Sequence, residues 1–288
     1  MNQAEGDRAV VYFLLHVPKC AGTSVEQHFE GALGEGFLRA PRWEHFLREV
    51  LGNRYSYGPQ DPRLAPVRAV SGHSLSVSLK RYFAPRPVEE CVLLRDPLGF
   101  FVSMYNYRHA RAVERGQPVP PPFERWYGRQ RRNPVSQFLL TRYFEVGVPK
   151  VYTLSSAQRL AYLEERLQGF RFVGSYKRAT EMIAGVSEAL GIEREIEQAN
   201  VLHQRYWSAD ALSDAMRGQI LRENRLDQVL FERWAARGWR DGAEPLGPAP
   251  ALPTNDRLTQ MSGDLWAELS RNLPAGKPAP LDATPSGG

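Results

Sequence analysis

Short apolar runs that each stop at a polar turn and lead into an amphipathic stretch constrain this chain more than any other feature. Four such runs occur, at 10–15, 67–70, 91–94 and 170–174. Short, continuous and rich in Val, Leu, Tyr and Phe, they read as strands buried on both faces. Helical patterns follow at 23–31, 75–83, 98–108, 135–143, 155–167 and 178–190, the last stopped by Gly191. Ser208 is a suitable N-cap for a long helix to about residue 237, with Leu212, Met216, Ile220, Leu226, Leu230 and Trp234 turned inward. The alternation predicts an α/β fold, a mostly parallel sheet with helices on both faces. Ligands of such sheets bind outside the carboxyl ends of the strands.

The 288 residues fit one domain over 1–240 and a Pro/Gly/Ala-rich extension over 241–288. One short helix, 256–273, is expected in that extension, ahead of a disordered end. Residues 32–66 are mixed, with one amphipathic piece at 43–51, and the chain shows no internal repeat. A hydrophobic content of 42% supports a large core without disulfides. The two cysteines, Cys20 and Cys91, make neither a disulfide framework nor a zinc site. No stretch reaches the roughly 20 apolar residues of a membrane span, and residues 1–8 lack a signal-peptide core. A cytoplasmic protein is expected. Net charge is +5, and 32 of the 37 basic residues are arginine, a side chain suited to phosphate, sulfate and carboxylate. The excess is too small to imply nucleic-acid binding.

Three clusters of chemistry-bearing residues fall at strand ends. The first is "HVPKCAGTS", His16 to Ser24. Backbone N–H groups at Gly22, Thr23 and Ser24, at the start of a helix, favour a phosphate or sulfate, and Lys19 adds a point charge. An ordinary nucleotide loop places lysine after the second glycine, GxxxxGK[ST]. Here the lysine comes first and no Mg²⁺ arrangement is visible. The competing reading is a plain helix cap with an exposed lysine. Cys20 beside a helix N-terminus could be a nucleophile, but a cysteine phosphatase loop needs arginine where Glu26 stands. The second cluster is "LLRDPLGFFVSMYNY", with Arg95 at a strand end, Asp96 and Pro97 suited to a helix start, and Ser103 eight residues after the arginine. Arg95 and Ser103 could converge on one anion; spacing alone favours the plainer reading, Arg95 paired with Asp96 or a surface carboxylate and Ser103 facing solvent. The third is His73, in "SGHS". His16, ending the first run, reads as structural, packing under the turn.

Taken together, these residues resemble the sulfotransferases that use 3′-phosphoadenosine 5′-phosphosulfate. The branch most similar is that of the heparan-sulfate 2-O- and 6-O-sulfotransferases and their bacterial relatives. "HVPKCAGTS" looks like that family's 5′-phosphosulfate loop, "RDP" with Ser103 like its 3′-phosphate motif, and "SGHSLSVSL" like the segment carrying a histidine base. "RFVGSYKRATEMIAGVSEALGI" resembles a later strand and helix of the branch, so the likeness spans 10–235. The resemblance implies a P-loop-like sheet and a donor held by Lys19, Ala21, Gly22, Thr23, Ser24, Arg95 and Ser103. It further implies Lys19 at the leaving phosphate, His73 as base, no metal, and adenosine 3′,5′-bisphosphate as product. The acceptor would be a hydroxyl, less readily an amine, of a glycan or small molecule, anionic ones included. Two departures stand out. Phe100 occupies a position where the family often has arginine, and the family's later nucleotide loop has only a weak counterpart near 200–206. Arg42, Trp43, His109 and Trp126 are candidate acceptor contacts, and the Arg- and Pro-rich stretch 111–135 reads as a surface excursion, a lid being one form of it. A P-loop-type kinase and a catalytically silent anion- or glycan-binding protein are the alternatives.

Overall fold

The computed structural model describes residues 9–40, 62–196 and 206–242, with Gly247 and Leu252. Six strands form one sheet: β1 Val11–Leu15, β2 Phe37–Arg39, β3 Ala69–Gly72, β4 Val88–Leu94, β5 Phe172–Ser175 and β6 Gly238–Trp239. Their order is β2-β3-β1-β4-β5-β6. All neighbours are parallel except β6, which runs antiparallel to β5. All five residues of β1 are buried, so the centre of the sheet is covered on both faces. Each fully buried Val, Leu or Phe there contributes about 1.5–3 kcal/mol of transfer free energy.

Nine helices connect and cover these strands: α1 Gly22–Leu33, α2 Pro97–Glu114, α3 Phe123–Tyr127, α4 Pro134–Phe138, α5 Val148–Thr153, α6 Ser156–Leu167, α7 Ala179–Leu190, α8 Asp214–Glu223 and α9 Arg225–Trp234, counted among the described residues. The local signals for several are explicit. Asp96 caps α2 by accepting from Gly99 N at 2.7 Å, with Pro97 in the first turn. Ser155 and Gln158 form a capping box on α6. Gly191 ends α7 at φ 67°, in the left-handed region.

Three sequence expectations need revision. The segment expected as a helix at 75–83 is a 3₁₀ stretch, Val77–Tyr82. The single helix expected from Ser208 is two. Ser213, not Ser208, caps α8, its Oγ accepting from Met216 N at 3.2 Å. Asn224, fully buried and non-helical at φ −119°, separates α8 from α9. Its side chain is committed elsewhere: Oδ1 accepts from Asn133 N at 2.7 Å, and Nδ2 donates to Tyr127 Oη at 3.0 Å and Ile220 O at 2.8 Å. Leu212, Met216, Ile220, Leu226, Leu230 and Trp234 are all buried, so the inward pattern holds across the break. Finally, 111–135 is a surface excursion only in its first half, where α2 ends at Glu114 and 115–119 are exposed; the second half is anchored. Phe123, Trp126 and Tyr127 of α3 are buried, and Arg132 Nε pairs with Glu223 Oε2 at 2.7 Å, which anchors the segment to α8.

Beside it lies a buried joint. Asp227 of α9 accepts from Val135 N at 2.9 Å and Ser136 N at 2.8 Å, capping α4 from across the core. Burial pushes its carboxyl up to about 6. No helix among the described residues is long and apolar enough to cross a membrane. The amphipathic piece at 43–51, the expected helix at 256–273, Arg42 and Trp43 lie outside the described residues.

Candidate functional site

The strand order places the site. From β1 the chain moves to β2 and β3 on one side, then crosses to β4 on the other. The carboxyl ends of β1 and β4 therefore flank a topological switch point, where ligands of such sheets bind. Leu15, the last residue of β1, is in register with Gly72 and Val92, so the turns after β3, β1 and β4 emerge along one edge. These turns carry His73, Lys19 and Arg95. Leu94 faces Ser175, which adds Tyr176 after β5 to the same edge.

The turn after β1 is wound tightly. Lys19 and Ala21 have φ of 63° and 65°, a region that costs a non-glycine residue about 1–2 kcal/mol. Such left-handed positions turn successive N–H groups toward one side, as in anion-binding concavities. Ala21 is the N-cap of α1, and no side chain caps that helix among the described residues. Its first N–H groups and its dipole thus face the turn. A Cβ at Gly22 would lie 2.1 Å from His16 Cδ2, so only glycine lets the His16 ring pack beneath the loop. Thr23 is exposed and Ser24 half-buried.

Two cations converge here. Arg95 Nη1 donates to Lys19 O at 2.8 Å, tying the turn after β4 to the turn after β1. The guanidinium stacks 4.0 Å from the Tyr176 ring centroid, and Lys19 Nζ lies 4.2 Å from that of Tyr107. Arg95 Nε is buried without a hydrogen-bond partner among the described residues. Burial and the neighbouring Arg95 charge lower Lys19 to about 8. Ser103 lies on α2 one turn after Gly99 and one turn before Tyr107. A Cβ on Gly99 would lie 3.1 Å from Arg95 Nε, and Tyr107 meets Lys19, so the face bearing Ser103 borders both cations. The structure thus brings Lys19, Ala21, Gly22 and Arg95 together, and helical spacing puts Ser103 on the face of α2 between Gly99 and Tyr107. Tyr107 and Tyr176 went unread in the sequence, where each is one more aromatic in a helix or strand end.

His73 is exposed, immediately after β3. Its Nδ1 lies 2.8 Å from His16 O, and its ring centroid 3.9 Å from that of His16. A carbonyl only accepts, so Nδ1 carries the proton of the neutral ring and Nε2 is its basic nitrogen. Cys20 is 2% exposed, and burial raises its thiol, which suits packing and not nucleophilic attack.

His109 and Trp126 belong to a different cluster. His109 stacks on Tyr206 at 4.1 Å, and both His109 and Trp126 contact Tyr105. Tyr105 and Tyr107 point about 200° apart around α2, so this cluster and the cations use opposite helix faces. Trp126 is 7% exposed, which leaves no ring face for a sugar. Asn106 holds the neighbouring chain: its Oδ1 accepts from Tyr206 N and Trp207 N, both at 2.8 Å, and its Nδ2 donates to Trp207 O at 2.8 Å. Residues 200–205 of the expected later loop lie outside the described residues. Among the described residues no group of three or more His, Cys, Asp or Glu side chains is placed to hold a metal ion.

Comparison with known proteins finds no family model that matches the chain, no curated protein that matches it and no matching solved structure.

Proposed function

We propose that this protein is a sulfotransferase that uses 3′-phosphoadenosine 5′-phosphosulfate and acts on a hydroxyl of a glycan or small-molecule acceptor. The observation that carries this reading is the pairing of Lys19 and Arg95 across the β1/β4 switch point, beside an uncapped helix N-terminus. Among the described residues Arg95 is the charged side chain that acts appreciably on Lys19 and no carboxylate does, which leaves the positive field for a ligand. The Nε of Arg95, buried and without a partner among the described residues, fits a second anionic group. Two phosphates on one nucleoside meet both requirements. A nucleoside triphosphate with Mg²⁺ fits less well, because its lysine would follow the glycine and a carboxylate would hold the metal.

The donor supplies a sulfuryl group on a good leaving group, and the protein positions and neutralises. N–H groups at Gly22 and Thr23 hold the 5′-phosphate, and Lys19 stabilises the bridging oxygen as negative charge gathers there. Arg95 and Ser103 hold the 3′-phosphate. The acceptor oxygen forms a bond to sulfur while the sulfur–bridging-oxygen bond breaks, its electron pair staying on the 5′-phosphate. His73 Nε2 takes the acceptor proton. Base help of this kind is worth about 10²–10⁴-fold.

The test is a thermal-shift titration with adenosine 3′,5′-bisphosphate, followed by transfer from labelled donor to an acceptor panel. Wild type should be stabilised, and a Lys19→Ala, Arg95→Ala double variant should not. Stabilisation by ATP with Mg²⁺ and none by the bisphosphate would sink the proposal in favour of a kinase. His73→Ala should keep donor-product binding and lose turnover; binding without any turnover by wild type on a broad panel would favour a silent binding protein.

A further inference from the structure

We propose that the buried His16–Glu26 pair is a positioning element that holds the base, His73, in fixed relation to the anion-binding turn. The inference rests on the function proposed above for what His73 does, but its structural half stands apart from that reading.

Glu26 is 5% exposed, on the inner face of α1. A buried carboxylate without partners is costly, and this one has several. Its Oε1 takes His16 Nδ1 at 2.6 Å and Ser71 Oγ at 3.2 Å, and its Oε2 lies 3.8 Å from Arg39 Nη2. Burial pushes this carboxyl up, but the His16 bond and charge, Arg39 and Ser71 outweigh it, so it stays below the usual range. Four elements therefore meet on one side chain: the exit of β1, α1, β2 and β3.

The consequence is a His16 ring that cannot turn. With Nδ1 engaged by Glu26, the imidazole lies under Gly22 on one side and against His73 on another. His16 reaches His73 twice, through its ring at 3.9 Å between centroids and through its carbonyl, which accepts from Nδ1 at 2.8 Å. One residue thus touches both the floor of the anion loop and the base. In-line displacement needs the acceptor oxygen and the leaving oxygen on opposite sides of one sulfur. A misplacement of about 1 Å costs about 10²-fold. His16 spans that distance as a rigid spacer, and Glu26 makes it rigid. The aim of the His16 carbonyl at Nδ1 depends on how the ring is seated, so freeing or removing the ring also loosens the bond that fixes the His73 tautomer.

The experiment compares wild type with Glu26→Ala, which frees the ring, and Glu26→Gln, which keeps an acceptor oxygen for His16. His16→Asn keeps a donor for Glu26 but removes the ring from His73, and supplies a second line if Glu26→Ala does not fold. Three readouts are taken: the Kd for adenosine 3′,5′-bisphosphate, kcat, and the His73 tautomer from imidazole ¹⁵N NMR of the ligand-free protein. Expected is a kcat lower by about 10–100-fold in Glu26→Ala and His16→Asn, a Kd within about threefold of wild type, and His73 shifting from one tautomer to a mixture. Glu26→Gln should recover most of the activity and the single tautomer. Folded variants with kcat within about threefold of wild type and an unchanged His73 tautomer would overturn the proposal. So would a Kd that weakens in step with kcat, because that means the turn itself has collapsed. If wild type neither binds the bisphosphate nor transfers sulfate, the function proposed above fails. The tautomer arm then decides this inference alone: a shift supports it and no shift overturns it.

Discussion

If the proposed function holds, Lys19 makes donor-product binding a proton-linked reaction. In the free protein burial and Arg95 hold its ammonium group down, to about 8. A bound phosphate opposes both causes by adding negative charge beside the ammonium, so the complex favours the protonated form. The sign follows. Below about pH 7.5 Lys19 is charged before and after binding, and affinity is flat. Above about pH 8 the free protein must take up a proton to bind, so affinity falls as pH rises until the pKa of the complex is reached. The limiting slope for one titrating group is tenfold per pH unit. Because Lys19 is only half-buried, solvent screens part of the interaction, and about threefold per unit between about pH 8 and 9.5 is expected. Phosphate protonation, with a second pKa of about 6, lies outside that window. Calorimetry with adenosine 3′,5′-bisphosphate in two buffers of different ionisation heat measures the proton count directly, and about half a proton should be taken up at pH 8. Lys19→Ala should bind about 10–100-fold more weakly, the worth of one charge-assisted bond, and take up none. Arg95→Ala should move the onset to higher pH by removing a positive neighbour. A wild-type affinity constant from about pH 7 to 9.5, or a slope retained in Lys19→Ala, would refute the assignment of Lys19 to the anion site.

Other variants read other parts of the structure. Arg95→Lys keeps the charge but loses the bond to Lys19 O and the stack on Tyr176; a bisphosphate Kd weaker by about tenfold or more is expected by titration. Gly22→Ala drives a methyl into His16; it should cost about 1–3 kcal/mol in denaturant unfolding and abolish the ligand-induced thermal shift. Asp227→Ala leaves two buried N–H groups unpaired and should lose about 2–4 kcal/mol. Because the folded-state pKa of Asp227, about 6, lies above its unfolded value, its contribution is fully present below about pH 4 and fades toward pH 6. An unfolding series over that range should show the slope in wild type and not in the variant.

The parts of this fold that were legible in sequence are those with local causes. β1 and β4 announce themselves as continuous apolar runs, and Asp96-Pro97, Ser155 with Gln158, and Gly191 are helix signals at fixed offsets. What escaped is tertiary. β2 and β6, with three and two residues, are too short to show a period and exist only because β3 and β5 offer partners. Ser208 and Ser213 are equally good caps in sequence, but Ser208 opens only the 3₁₀ turn Ala209–Ala211; the later break falls at Asn224, whose partners Tyr127 and Asn133 lie on α3 and in the turn before α4. The site divides in the same way. Lys19, Gly22 and Arg95 could be read from motif spacing, but the bond that joins them runs from a side chain to a backbone carbonyl 76 residues away. Glu26 served in sequence only to exclude a phosphatase, and His16 read as packing. Their pairing needed the α1 geometry that places residue 26 over residue 16.

The two cysteines turn this architecture into a pair of clocks. Both thiols are free and at most 2% exposed, and burial raises both, so neither reacts while its surroundings are closed. A thiol reagent then reports how often each site opens. Cys91 sits in central strand β4 between β1 and β5, where opening means losing the sheet. Cys20 sits in the strained turn between Lys19 and Ala21, where opening need involve only the loop. The difference in labelling rate between them measures the free energy that separates the turn from the body of the protein. A ligand gripped by the turn should slow the first clock far more than the second.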